Sequence, residues 1–174
     1  DEYKRQILTA SIFITRRRYS MLDAQFWKDI AFGFWETTYM VFLSTLFAYI
    51  LGMPLGVLLV VTDEKGLKPI PWLNKTIGFI VNILRSVPFV ILLIMIIPFT
   101  RFLVGTASGS FPTIVPLTVA AFPFIARLVE GSLKELDGGI VEAAKSMGAT
   151  NMQIVTKVMI PESVPSLING AAIA

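Results

Sequence analysis

Residues 37–62 read TTYMVFLSTLFAYILGMPLGVLLVVT, 26 consecutive positions without a charged side chain. As an α-helix such a run is about 39 Å long at roughly 1.5 Å per residue, and a hydrocarbon core of about 30 Å takes roughly 20 apolar residues to cross. The stretch is therefore expected to span a bilayer with some tilt. Gly52, Pro54 and Gly56 fall inside it. That cluster suits close helix packing or a kink, against the plainer reading of a lipid-facing anchor. Trp27, Trp35 and Tyr39 are placed to act as interfacial anchors at its start.

Working outward, a polar connector, 63–75, leads to a second expected span, 76–100, whose only charge is Arg85. A charge inside a span costs about 2.5–3.5 kcal/mol on insertion scales, so Arg85 either faces an interior or aqueous path or snorkels from the end of a turn. Pro88, three residues on, can break the helix there. A third span, 111–126, carries Pro112, Pro116 and Pro123. Prolines at membrane depth are tolerated where neighbours or water satisfy the freed carbonyls, which suggests a pathway-lining position; the alternative is a kinked scaffold helix.

The segment 127–161 turns polar and reads as short amphipathic helices. Ile140, Ala144 and Met147 fall at helical spacing, and Gly148 suits the left-handed residue after a helix end. Thr150-Asn151-Met152-Gln153 matches a capping box that restarts a helix, with Met152, Val155, Val158 and Met159 as its apolar set. After Pro161 and Pro165, residues 162–174 begin a further span too short to cross. The sequence is thus expected to be incomplete at its C-terminal end. The fold class is all-α, a polytopic transmembrane helical protein.

Composition agrees. Of 174 residues, 55% are apolar and 16% charged, with a mean hydropathy of +0.72, whereas soluble domains carry about 25% charge. Cys and His are absent. That removes disulfides, Cys/His metal sites and His- or Cys-based catalysis. No catalytic residue, metal site or phosphate-binding Gly-rich loop is found, and the uncharged stretches contain no carboxylate for a proton relay. Glu36, Arg127 and Glu130 are read as interface charges at span ends. The net charge of +3 resides in residues 1–20; residues 21–174 balance ten acids with ten bases. Lysines and arginines gather in the connector 63–75 and in 127–161, while the loop at 101–110 has only Arg101. Positive loops face the cytoplasm, which puts both basic segments inside. The five basic residues of 1–20 conflict with that topology, so these residues are expected to be an extension foreign to the mature chain, with Met21 as the native start.

The loop also carries a specific pattern: Glu142-Ala143-Ala144, three residues, Gly148, nine residues, then Val158-Met159-Ile160-Pro161. It resembles the EAA loop of ABC-importer permease subunits, with Val158 and Ile160 as conservative departures. Arg85-Ser86-Val87-Pro88-Phe89, Ile97-Pro98-Phe99-Thr100-Arg101, Ile114-Val115-Pro116-Leu117-Thr118-Val119, Pro123-Phe124-Ile125-Ala126-Arg127 and Met147-Gly148-Ala149-Thr150 are similar to the methionine-uptake branch. The match extends from about Phe26 to Ala174; residues 1–20 match nothing comparable.

The resemblance implies the ABC-importer permease fold over 21–174 and a multi-pass position in a bacterial inner membrane. It implies a homodimer of permeases and two ATP-binding cassette subunits that hold ATP and Mg, so no cofactor is bound by this chain. An extracytoplasmic substrate-binding lipoprotein would deliver methionine or a related amino acid; nucleic acid has no part. Glu142, Ala143, Ala144, Gly148 and Pro161 become the ATPase-coupling residues; Arg85, Pro88, Pro116 and Pro123 stay, from the span pattern itself, the candidate pathway or intramembrane residues. Full-length members of the branch have five spans. Two other readings stand beside it, a permease for another small solute and a non-ABC scaffold or channel subunit.

Overall fold

A long apolar segment in lipid satisfies its backbone polar groups only within itself, and the computed structural model is helical over the expected spans 37–62, 76–100 and 111–126 except at Val87-Pro88. It describes residues 24–172; the expectations for residues 1–20 and for the native start lie outside the described residues. The chain divides into two units, Asp1–Tyr39 and Met40–Ala174. Helix α1 (Ala24–Thr62) begins well before Thr37 and continues through Pro54 without interruption. In the first unit, Trp27 and Trp35 are exposed, and the Thr37 and Thr38 hydroxyls donate to the Gly33 and Phe34 carbonyls one turn back.

The rest of the architecture belongs to the second unit. Helix α2 (Pro71–Ser86) and helix α3 (Phe89–Val104) occupy the expected second span, but they meet at 111° across a short break. The expected span at 76–100 is thus built from two helices with a break at its middle. Sixteen residues make about 24 Å of helix, less than a core of about 30 Å, so neither half crosses alone. The break sits at Val87-Pro88. Pro88 holds the residue before it in an extended conformation, ψ 125° at Val87, because its ring excludes the helical region there.

Helix α4 (Ser110–Lys134) accommodates all three prolines of the third span and runs on past Ala126. The polar loop therefore starts at Glu135 and not at Arg127. It holds α5 (Gly138–Ser146), α6 (Asn151–Ile154), a π-helical turn (Val155–Met159), α7 (Ile160–Glu162) and α8 (Val164–Ala171). Helix α4 packs on α2, α3 and α8.

The seam between α1 and α4 explains the glycine cluster. Ser44, Ala48, Gly52 and Gly56 recur every fourth residue and all are buried, a small-residue stripe on one helix face that lets backbones approach. The Thr118 hydroxyl lies 3.4 Å from the Ser44 carbonyl. A Cβ added at Gly52 would stand 2.8 Å from the Phe122 carbonyl oxygen, and one at Gly56 2.6 Å from that of Ala126. The offset between partners stays nearly constant, so the two helices run in parallel. Large apolar side chains such as Phe42, Ile50, Phe79, Met95 and Phe102 point outward, as expected where lipid is the solvent.

Candidate functional site

The coupling-loop pattern folds as its residue types dictate. Asp137 caps α5 by accepting a hydrogen bond from the Gly139 N–H at 3.0 Å, satisfying one of the orphan donors of the first turn. The helix ends at Gly148, φ +80°. Its N–H donates to the Lys145 carbonyl at 2.9 Å and that of Ala149 to the Ala144 carbonyl at 3.2 Å, the paired bonds of a Schellman ending. Thr150 then caps α6: its hydroxyl accepts from the Gln153 N–H, and the Gln153 amide oxygen accepts from the Thr150 N–H at 2.9 Å. Both ends of the turn are thus fixed by local hydrogen bonds.

The π-helical turn has a local cause. Pro161 supplies no N–H and crowds the Lys157 carbonyl one turn earlier. The preceding turn opens, and the Ile160 N–H donates to the Val155 carbonyl five residues back. Such turns are rare and frequently sit at functional sites.

Burial divides the loop into two faces. Ala144, Ile154, Val155 and Met159 join Ala48, Val60, Ile125, Val129 and Leu133 in one core cluster. Leu67 of the first connector and Leu136 pack against the same cluster, so the two basic segments lie at one end of the helices. The opposite face is open. Glu142 and Ala143 are exposed, with Met147 81% and Met152 73% exposed. The expected apolar sets are corrected accordingly: Ile140, Met147 and Met152 point away from the core, while Ile154, absent from those sets, is fully buried. Of the motif, Glu142, Ala143, Gly148 and Pro161 are accessible. Ala144 is a packing residue on the inner face.

Where the loop joins α4, charges gather that the sequence reading assigned to the interface. The buried Glu130 accepts from Arg127 Nη1 at 2.6 Å and from Lys134 Nζ at 2.9 Å. Lys134 also reaches Asp63 at 2.6 Å, and Arg127 Nη2 donates to the Gly78 carbonyl and to Asn82 Oδ1. One carboxylate therefore ties the end of α4, through its two cations, to α2 and to the connector after α1. The signal was in the sequence: Arg127, Glu130 and Lys134 follow at spacings of three and four, one helical face. It was missed because the span was ended at Ala126. The Lys134 ammonium donates to the Asp63 carboxylate and holds its pKa below the ordinary 3.8. A depressed carboxylate contributes stability above its ordinary pKa and loses it as pH falls through the lower value. Thermal stability is expected to drop in that acid range, below about 3.8, and Asp63→Asn should flatten that part of the profile, measured by melting against pH.

The intramembrane set is scattered. Arg85 stands exposed in the last turn of α2, and Pro88 caps α3. Pro116 and Pro123 are buried. They are not among the residues lining the two cavities at Arg85. A proline ring brings no N–H donor to satisfy, so a packed apolar face suits it.

A bent pair between two long apolar helices, followed by a capped loop with one face rooted and one face open, is the architecture of a polytopic membrane subunit. Residues 52–174 match the binding-protein-dependent transport system inner membrane component family, and the chain belongs to that family. It is a non-catalytic permease component of an inner membrane. The D-methionine transport system permease protein MetI of Yersinia pestis is 51% identical over 153 residues, 88% of this chain and 70% of that one. Its counterpart in Escherichia coli strain K12 is 52% identical over 141 residues, 81% of this chain and 65% of that one. A solved structure titled as inward facing conformations of the MetNI methionine ABC transporter superposes with a TM-score of 0.85 at 49% identity, covering 87% of this chain and 70% of its own.

Proposed function

We propose that this chain is the membrane-spanning subunit of an ATP-driven importer for methionine or a closely related amino acid. The loop 135–163 is its coupling element. Glu142, Ala143 and Gly148, with Met147 and Met152 beside them, form the surface that an ATP-binding cassette subunit grips. That subunit carries ATP and Mg; a second permease copy completes the membrane part, and an extracytoplasmic binding lipoprotein hands over the solute. The supporting observation is the loop's two-faced construction. Its inner face is built into the α1–α4 core, so a push on the outer face moves the spans and is not absorbed by a flexible tether. The choice of methionine rests on the named relatives alone, because the helix faces specify no side chain.

The test is uptake of labelled methionine by vesicles carrying the assembled transporter, competed by other amino acids. Saturable, ATP-dependent uptake is expected, with methionine the strongest competitor; preferential competition by an unrelated solute would favour a different cargo for the same machine.

Gly148→Leu probes the coupling surface. A side chain there meets nothing within 4 Å, so space is no obstacle; the left-handed backbone costs an L-residue about 1–2 kcal/mol. The Schellman ending is expected to re-form elsewhere and displace Met147 and Glu142. Methionine taken up per ATP hydrolysed should fall, while Gly148→Asn, which tolerates αL, retains most of it. Equal coupling ratios in Gly148→Leu and the parent would remove the loop end from the mechanism.

A further inference from the structure

Two cavities meet at one side chain. One, of about 570 Å³, lies between α2, α4 and α8 and includes Arg85, Arg127, Leu128 and Glu135 in its wall. The other, of about 260 Å³, lies at the α2–α3 break and includes Arg85, Val87 and Ala120. Arg85 and Phe124 belong to both walls. The lining residues of α4 include Arg127 and Ser132; among the others, Ala120, Phe124, Leu128 and Gly131, continued by Glu135 just past the helix end, are spaced by four, four, three and four. They form one helical stripe about 22 Å long. The stripe runs from one cavity into the other, with Phe124 common to both.

The charges in this wall are not equivalent. Arg127 is already engaged by Glu130, the Gly78 carbonyl and Asn82. The Glu135 carboxylate accepts from the Ser166 hydroxyl at 2.5 Å and keeps its other oxygen. No hydrogen bond or ion pair joins Arg85 to a described residue, although it is the single charge between Lys75 and Arg101. The exposed Arg85 guanidinium is free to take an anion, and its planar fork fits a carboxylate through two parallel hydrogen bonds.

We propose that the two cavities form one conduit for a zwitterionic amino acid, in which the Arg85 guanidinium receives the passing carboxylate. This rests on the importer reading above. Phe124 and Leu128 offer apolar surface to the side chain, and the Glu135 carboxylate, at the far end of the stripe, receives the ammonium group on exit. A single exposed charge holds the solute weakly, as passage demands: favourable enough to enter and weak enough to leave.

The test uses the assembled transporter with its ATP-hydrolysing partner in vesicles. A diazirine-bearing amino acid and the matching amine without the carboxylate are photolysed in the wild type. Labelling of the Phe124–Leu128 segment by the amino acid, at least tenfold above the amine, is expected. Arg85→Gln should erase that preference and reduce uptake at least tenfold, with Arg85→Lys between the two, in complexes whose assembly is checked by co-purification. Labelling confined to other helices, or an Arg85→Gln transporter with parental uptake and labelling, would overturn the conduit. So would an Arg85→Gln defect that scales with the anionic-lipid fraction of the vesicle, since the guanidinium would then serve a headgroup. The two readings fail separately. Methionine uptake that is indifferent to Arg85 removes the conduit only. Stripe labelling by zwitterions without methionine uptake removes the methionine reading only.

Discussion

Gly56→Leu is expected to abolish recovery of the folded subunit from membranes. The reason is the partner that the new side chain meets. The first added carbon would lie 2.6 Å from the Ala126 carbonyl oxygen and 2.7 Å from Val129 Cβ. A flexible side chain could swing away; a helix backbone cannot. The α1–α4 seam must open, and with it go the contacts at Gly52 and Ala48, because helices held by packing alone lose dispersion along the whole interface when spaced apart. Overpacking in ordinary cores costs about 1–3 kcal/mol, and a clash against backbone belongs at or above the top of that range. Even Gly56→Ala places the offending atom and should destabilise clearly. Gly33→Ala, where a Cβ meets nothing within 4 Å, should be neutral. Yield of monodisperse protein after detergent extraction and the melting temperature separate the cases. A Gly56→Leu chain that extracts and melts like the parent would show that the seam is not a close backbone contact.

Glu130→Ala carries the second large effect. The carboxylate side chain is 10% exposed and lies between Arg127 and Lys134. Removing it leaves two cations facing each other across a partly dry site. Breaking a buried pair costs about 3–5 kcal/mol. Arg127 keeps the Gly78 and Asn82 oxygens and Lys134 keeps Asp63, so the low end applies. On the scaling of globular domains of this size, about 3 kcal/mol lowers the melting temperature by roughly 6–12 °C. Glu130→Gln retains an acceptor for Arg127 and should lose less. The double change Arg127→Met with Glu130→Leu should recover most of the loss, since apolar replacement of a buried pair is often neutral. A double variant as unstable as Glu130→Ala would point to packing in place of charge.

The helical, membrane-spanning character of the chain was legible because it is written locally. An uncharged run has one way to satisfy its backbone in lipid, whatever surrounds it. The loop's turn was legible for a similar reason. Gly148, Thr150 and Gln153 act on neighbours within a few residues, and their hydrogen bonds formed where the residue types placed them. Span ends were less legible. Hydropathy falls at Arg127, yet α4 continues to Lys134, because Glu130 neutralises Arg127 and Lys134 one turn to either side. The Ala144 side chain and the Met147 side chain carry the same apolar signal, and only the position of the α1–α4 core decides which one is covered.

The sequence by itself determined the solvent, the class of element, the break at Pro88 and the capped loop with its Glu-Ala-Ala-to-Gly spacing, since each follows from interactions within one or two helical turns. Tertiary structure alone decided which small residues of α1 meet α4, which face of the loop stays open, and which charges find partners. Arg85 and Arg127 are the clearest pair. They are the same residue type, in similarly apolar surroundings, yet one is tied down by Glu130, Gly78 and Asn82 and the other faces two cavities unpaired. That difference is made by helices brought together from 45 and 49 residues away, and a linear reading has no access to distances of that kind.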